Sequence, residues 1–386
     1  MFIKKNKVQK KTHIAFNNAF ITGKETNHII EAVKKGKISG NGDYSKLCHK
    51  FFKTHLNNQI NLCTTSCTDA LEMTAILTEI KPGDEVIMPT YTFVSTANAF
   101  ILRGAKVVFV DSRKDHPGMD EELVEDIITE KTKAIVVVHY AGVACDMDKV
   151  LEIAKRYNLI VIEDAAQAVD GFYKGKPLGS IGDLGCFSFH ETKNIQCGEG
   201  GLLSVNNAAY KERAEIIWEK GTNRSAFWRG EVDKYNWVDV GSSFLPSEIN
   251  MAFLFSQLEE LGSIQKKRKE IWNQYFESLE KLTDLSVSLN HIPKYATNNA
   301  HMFYLVCRNG KERSKLIEYL KQNDINAVFH YMCLHDSPYY KNKHDGREMP
   351  RAKRYEERLV RLPLWPGLTQ KQVERVIKAV ISFFNI

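Results

Sequence analysis

The stretch Gly185-Cys-Phe-Ser-Phe-His-Glu-Thr-Lys-Asn-Ile-Gln-Cys-Gly-Glu-Gly-Gly201 decides how the chain is read. Its apolar run Cys186-Phe-Ser-Phe189 predicts a strand, and the Gly-rich turn after it leads into a second apolar run, Leu202-Leu-Ser-Val205. Lys193 stands between the two, at a strand end. An ammonium is costly to desolvate, so a lysine buried in such a place loses its proton or becomes a covalent imine. Taken alone, Lys193 fits equally an ordinary solvated loop lysine, the commoner state of that residue.

Working outward, further apolar runs alternate with helix-like segments. Glu85-Val-Ile-Met-Pro89, Lys106-Val-Val-Phe-Val110, Ala134-Ile-Val-Val-Val-His139 and Leu159-Ile-Val-Ile162 read as strands. Helices are predicted over Thr68 to Ile80, closed by Lys81-Pro-Gly-Asp84, and over Met147 to Tyr157, where Val150, Leu151, Ile153 and Ala154 share a face. Continuous apolar strands separated by amphipathic helices give an α/β fold with a mostly parallel sheet covered on both faces. Ligands of such sheets sit beyond the carboxyl ends of the strands. Asp164, Tyr140, and Ser188 with Lys193 fall at those ends and are expected to converge.

Residues 12 to 60 mix short helical patterns with a polar loop, Ser39-Gly-Asn-Gly-Asp-Tyr44, of a kind that lines sites. From about Ser247 to Leu289 the pattern is long and helical, bridging to a smaller α+β unit. That unit is predicted to hold strands at His301 to Cys307 and Ile325 to Tyr331, and a helix at Glu312 to Gln322. A last helix follows Thr369, whose Thr369-x-x-Gln372 spacing is that of a capping box and whose Val373, Val376, Ile377 and Val380 form an apolar face. The expected division is a basic tail over 1–11, a large domain over 12–262 and a small C-terminal domain, with the bridging helix, over 263–386.

The formal charge of +6 over 386 residues raises the question of a nucleic-acid surface. Five positive charges are Lys4, Lys5, Lys7, Lys10 and Lys11, however, and without them 48 basic residues face 47 acidic ones. A balanced body argues against a phosphate-tracking face, so no nucleic-acid partner is expected. No apolar run reaches the roughly 20 residues that span a bilayer, and Met1 to Lys11 lacks the apolar centre of a signal peptide, which predicts no membrane partner and a cytoplasmic location. The eight cysteines show no C-x-x-C pair with matching histidines, so no metal site is expected and the thiols are read as free.

A pyridoxal phosphate site needs an imine-forming lysine, a carboxylate for the pyridine nitrogen, an anion cradle and a flat apolar cover for the ring. Lys193 offers the amine and Asp164, at the end of a very apolar strand, the carboxylate. Thr64-Thr-Ser-Cys-Thr-Asp-Ala70 opens a helix whose N–H groups and hydroxyls suit a phosphate, although the same run serves as a plain Ser/Thr cap. Phe93 could cover the ring or be a core aromatic.

Glu163-Asp-Ala-Ala-Gln167, Ser188-Phe-His-Glu-Thr-Lys193 and Gly198-Glu-Gly-Gly201 together resemble the fingerprint of the DegT/DnrJ/EryC1/StrS sugar-nucleotide aminotransferases, which are fold-type I pyridoxal phosphate enzymes. The resemblance runs from roughly residue 14 to the C-terminus and includes Tyr91-Thr-Phe-Val-Ser-Thr-Ala-Asn98, Lys220-Gly-Thr-Asn-Arg-Ser225 and Ala327-Val-Phe-His-Tyr331. It implies Lys193 as Schiff-base lysine and general acid/base, Asp164 on the pyridinium, and Gln167 near the phenolic oxygen. It further implies Phe93 on the ring and Cys67, Thr68 and Ser188 on the phosphate. The activity implied is transfer of an amino group from L-glutamate to C4 of dTDP-4-dehydro-6-deoxy-D-glucose, in a homodimer with shared sites. Members directed to C3 or to UDP-sugars remain the alternative, as does, from another class, a non-catalytic cofactor-binding regulator. Arg224, His301, His330 and Tyr331 are candidates for the substrate's diphosphate; Arg224 also fits a surface ion pair, and the other three fit satisfied core residues. Two positions depart from the family: Cys67 stands where Gly or Ala is common, and Gly241-Ser-Ser-Phe-Leu245 places a leucine where many members offer Asn or Arg to the second subunit. No role is assigned to His190 or Glu191.

Overall fold

In the computed structural model, which describes residues 13–385, the apolar runs become the strands of one twisted sheet. The basic tail expected over 1–11 lies outside the described residues. In chain order the strands are β1 (Ile60–Thr64), β2 (Glu85–Pro89), β3 (Lys106–Val110), β4 (Thr132–Val138), β5 (Ile160–Asp164), a short ribbon of β6 (Phe172–Tyr173) and β7 (Lys176–Pro177), then β8 (Leu184–Ser188) and β9 (Gly201–Val205). The large sheet has the order β1-β9-β8-β5-β4-β2-β3. Its β8-β5-β4-β2-β3 part is parallel, whereas β9 runs antiparallel to both β8 and β1. The mostly parallel α/β sheet read from the sequence is therefore the one observed, with β1 added at an edge, in a stretch where the sequence reading places no strand. Ile-Asn-Leu-Cys-Thr is short and carries a polar residue in its middle, so its apolar signal is weak.

The helices are α1 (Glu25–Lys34), α2 (Asp43–His55), α3 (Cys67–Leu77), α4 (Val94–Ile101), α5 (Met147–Tyr157), α6 (Lys211–Trp218), α7 (Arg224–Trp228), α8 (Glu248–Glu259), α9 (Leu261–Leu279), α10 (Gly310–Gln322), α11 (Pro350–Arg358) and α12 (Gln370–Phe384). They cover both faces of the sheet, because successive strand residues point to opposite sides and both sides are apolar. Ile162 of β5 joins Leu71, Phe100 and Leu203 in one core, while Val161 joins Phe52, Ile135 and Phe187 in the other.

A third apolar cluster, with Trp272, Phe303, Leu316 and Val376, packs a small antiparallel sheet of β10 (Ser288–Leu289), β11 (Phe303–Val306) and β12 (Leu359–Leu362) against α9, α10 and α12. The Thr369 to Gln372 capping box forms as its spacing predicts. The strand expected at Ile325 to Tyr331 does not form. That segment makes only single bridges, Ile14 with Ile325 and Val328 with Arg361, and its alternation of buried and open residues breaks after Val328. The neighbour of β11 is β12 instead, with Phe303 opposite Leu362. The segment before α1 crosses to this unit: Ile14 N–H donates to Asp324 O at 2.8 Å, Asn326 N–H to Ile14 O at 2.9 Å, and Trp365 Nε1 to Ala15 O at 3.3 Å. Among the described residues no helix is long and apolar enough to cross a membrane.

Candidate active site

Beyond the carboxyl ends of β5 and β8, between the large and small sheets, lies a cavity of about 970 Å³. Cys67, Thr68, Phe93, Asp164, Gln167, Ser188, Lys193, His301, His330 and Tyr331 all line it. Arg224 does not. It stands 47% exposed on α7, near Glu219 and over the ring of Trp228.

The two carboxylates that end β5 point to opposite sides, as the pleat requires. Glu163 is fully satisfied on the far side, accepting from Gly179, Ile181 and Gly182 N–H at 2.6–2.8 Å and lying 2.9 Å from His139 Nε2. Asp164 faces the cavity. Its buried carboxylate accepts from Thr96 Oγ1 at 2.7 Å and Ala166 N–H at 3.1 Å, both neutral donors. Burial pushes its pKa up, against the pull of those donors and of Lys193. A cationic hydrogen-bond donor reaching it from the cavity would favour its charged form. Lys193 hangs in the turn after β8, its backbone N–H bonded to His190 O at 2.9 Å. Burial pushes its ammonium down from the ordinary lysine value, with Arg361 adding to the effect and Cys67 and Asp164 opposing it. An amine so placed is both nucleophile and proton carrier.

The turn into α3 supplies the anion cradle. Ser66 caps the helix through Asp69 N–H at 3.1 Å, so the capping role belongs to Ser66 and leaves the first-turn N–H groups of Cys67 and Thr68, which have no intrahelical partner, for a phosphate. Thr68 Oγ1 donates to Ser95 Oγ at 2.8 Å. Strand β9 passes this turn so closely that a Cβ on Gly201 would fall 2.3 Å from the Ser66 carbonyl carbon, which explains the glycine there. Phe93 is 56% exposed at the start of α4, on the cavity wall and not in the core.

The opposite wall is a hydrogen-bonded aromatic layer. Gln167 Oε1 accepts from Ala141 N–H at 2.7 Å and its Nε2 donates to Tyr331 OH at 2.9 Å. Tyr331 stacks on His330, whose Nδ1 lies 2.6 Å from Tyr140 OH. Burial holds His330 and His301 well below the ordinary imidazole pKa, so both enter the site neutral. Sequence reasoning missed the residues behind this wall. Asn194 bridges His301 Nδ1, Gln265 Oε1 and Asn299 O at 2.8–2.9 Å, tying the lysine turn to α9. Arg268, buried and pushed down to about 9, donates to Ala300 and His301 carbonyls. An arginine in a long amphipathic helix carries no such signal in the sequence. Arg361, alone in the apolar run Leu359–Leu362, does carry one. The loop Ser39 to Tyr44 serves structure: Gly42 and Tyr44 N–H donate to Glu248, and Leu245 packs on Gly40.

The sequence profile of the DegT/DnrJ/EryC1/StrS aminotransferase family matches residues 20–381. This chain is a member of that family. The uncharacterised protein MJ1066 from Methanocaldococcus jannaschii is 35% identical over 365 residues, 92% of this chain and 94% of its own. The aminotransferase TlmJ from Streptoalloteichus hindustanus superposes with a TM-score of 0.89 at 25% identity, covering 97% of this chain and 99% of TlmJ. DesV from S. venezuelae, solved in complex with a ketimine intermediate, gives 0.87 at 28% identity over 96% and 98% of the two chains. Spr1654 from Streptococcus pneumoniae in its PLP form gives 0.87 at 27% over 97% and 99%.

The family makes the chain an aminotransferase of fold type I with pyridoxal phosphate as cofactor, and its own residues fit that group. A buried carboxylate bonded only to neutral donors, a desolvated amine and unpaired helix N–H groups surround one cavity, and each matches a different part of the cofactor.

Proposed function

We propose that this aminotransferase moves the amino group of L-glutamate to C4 of dTDP-4-dehydro-6-deoxy-D-glucose, giving 2-oxoglutarate and dTDP-4-amino-4,6-dideoxy-D-galactose. It would thus be a dTDP-4-amino-4,6-dideoxygalactose transaminase. The observation that carries this reading is the meeting of Lys193 and Asp164 in one cavity of about 970 Å³, large enough for a sugar nucleotide. Bound pyridoxal phosphate supplies an aldehyde carbon that accepts nitrogen and a ring that withdraws electrons. Lys193 takes the proton from the donor's Cα and returns one at the sugar's C4, a task its lowered pKa suits. Asp164 would hold a proton on the ring nitrogen, Phe93 would cover the ring, and Gln167 would stand near the phenolic oxygen. Ser188 and the Cys67 and Thr68 N–H groups take the phosphate.

His301, His330 and Tyr331 meet the nucleotide sugar as neutral hydrogen-bonding groups. Arg224, exposed and outside its own cavity, is assigned to the diphosphate in a second subunit's site, which makes the working unit a homodimer with shared sites. The exposed Trp228 and Trp237 beside it, the latter 82% open, support a covered face there. The test is incubation with glutamate and dTDP-4-dehydro-6-deoxy-D-glucose, followed by the position and stereochemistry of the new amine. An axial amine at C4 is expected. Amination at C3, or turnover of a UDP-sugar alone, would overturn the substrate and leave the aminotransferase; no turnover of any sugar nucleotide, with the cofactor bound, would point to a regulator.

A further inference from the structure

Arg361 is the one residue of β12 that turns a charge into the cavity holding Lys193. Its backbone is occupied, with N–H donating to Val328 O at 2.8 Å. Its guanidinium is aimed but not neutralised. The carbon Cζ lies 4.7 Å from the centre of the Phe16 ring, Nη2 donates to Phe329 O at 3.3 Å, and the buried Nε has no hydrogen-bond partner among the described residues. Arg268 shows the contrast: more deeply buried, it is satisfied by two carbonyl oxygens and is structural. The titratable groups around Arg361 are the phenols of Tyr91, Tyr140 and Tyr331, the imidazoles of His301 and His330 and the Lys193 amine, none of them a carboxylate. A guanidinium partly withdrawn from water, with its buried Nε unpaired and no counter-ion, carries a desolvation cost that an incoming anion relieves.

We propose that Arg361 is the carboxylate anchor of this site, taking the α-carboxylate of the amino-acid donor in a two-point pair. The inference rests on the transamination reading above. Position selects the α-carboxylate over the nucleotide diphosphate: a donor's α-carboxylate is one bond from the carbon whose proton Lys193 moves, whereas the diphosphate, at C1, is a sugar ring away from C4. Arg361 lies close enough to Lys193 for its charge to help depress the amine. The planar guanidinium, held against Phe16, offers the fork that matches a carboxylate.

The test uses the full-length protein loaded with pyridoxal phosphate and reads binding, not turnover. 2-Methylglutamate, 2-methylaspartate and 2-aminoisobutyrate keep the α-carboxylate but have no α-proton to lose, so calorimetry gives their affinity directly. Arg361→Ala should weaken the best of them by about 10- to 100-fold while dTDP binds within about threefold of wild type. Arg361→Lys keeps the charge, loses the fork, and should recover only part of the affinity; it carries the test if the alanine variant does not fold. Equal amino-acid affinity in wild type and variants would overturn the anchor and leave the transaminase intact. Loss of dTDP affinity instead would overturn it in favour of a diphosphate site, and wild-type protein that binds none of the three analogues would overturn it outright. Weakened amino-acid binding with no sugar aminated would keep the anchor and sink the proposed substrate.

Discussion

Glu163 and Asp164 are neighbours with opposite duties, set by which way each points. Glu163 spends its lone pairs on the turn at Gly179 to Gly182 and holds β8 to β5. Asp164 instead faces the cavity. Asp164→Asn should therefore weaken pyridoxal phosphate binding by about 10- to 100-fold, measured by equilibrium dialysis, since it loses one charge-assisted hydrogen bond. Buried histidines give the protein a pH dependence, His116 among them and two more in the site. His301 and His330 have folded pKa values well below the unfolded value of about 6.5, so below that pH the unfolded chain binds protons that the folded one refuses. Stability is full above pH ~7 and falls as pH drops through 6.5, by about 1.4 kcal/mol for each histidine per unit once well below it. Urea midpoints between pH 7.5 and 5.5 should show the slope, and His301→Gln should flatten it by roughly half of the two-histidine share.

At the scale of elements, the site depends on close approaches that leave no room for adjustment. Gly201→Ala would drive a methyl into the Ser66 backbone at the mouth of the anion cradle. We expect its cofactor affinity to drop by about tenfold or more, at a stability cost of about 1–3 kcal/mol. The start of α2 is held by Glu248 from α8, through Gly42, Tyr44 and Ser45 N–H groups and the Ser45 hydroxyl. Glu248→Ala should cost about 3 kcal/mol, read as a lower urea midpoint with an unchanged m-value. These elements also show what the sequence could reveal. Strands β2 and β3 and helix α5 were legible to the residue because continuous valine and isoleucine, or a clean 3.6-residue period, leaves one solution. That Lys193, Asp164 and the α3 turn would meet at one cavity was legible because each lies in a local motif at a strand or helix end. The segment around Val328 was not: its apolar run is β-like, yet a bend toward the cavity is decided by Tyr140 and Gln167, far away in the chain. Asn194, Gln265 and Arg268 were silent for the same reason, being polar residues whose partners exist only after folding.

For the molecule as a whole, the proposed site would make the cofactor part of the structure, since it would pair with Asp164, Lys193 and the α3 N–H groups together. Removing pyridoxal phosphate from protein held at about 100 times its Kd should cost about 2.7 kcal/mol and lower the melting temperature accordingly, with refilling restoring it. The proposed sharing of sites between subunits makes a sharper prediction. Lys193→Ala and Arg224→Ala proteins, each inactive alone, should regain about a quarter of wild-type activity when unfolded together and refolded, because half the dimers are mixed and each mixed dimer has one intact site. No recovery would place Arg224 outside the partner's site. The crossing of the Ile14 segment to Asp324 and Trp365 bears finally on how the protein is made. A chain emerges from the ribosome in order, so Ile14 and Phe16 leave it long before the partners that fix them are translated. The large sheet can form around its own strands while these residues wait, and the cavity gains its Phe16 wall only when the last helix is released.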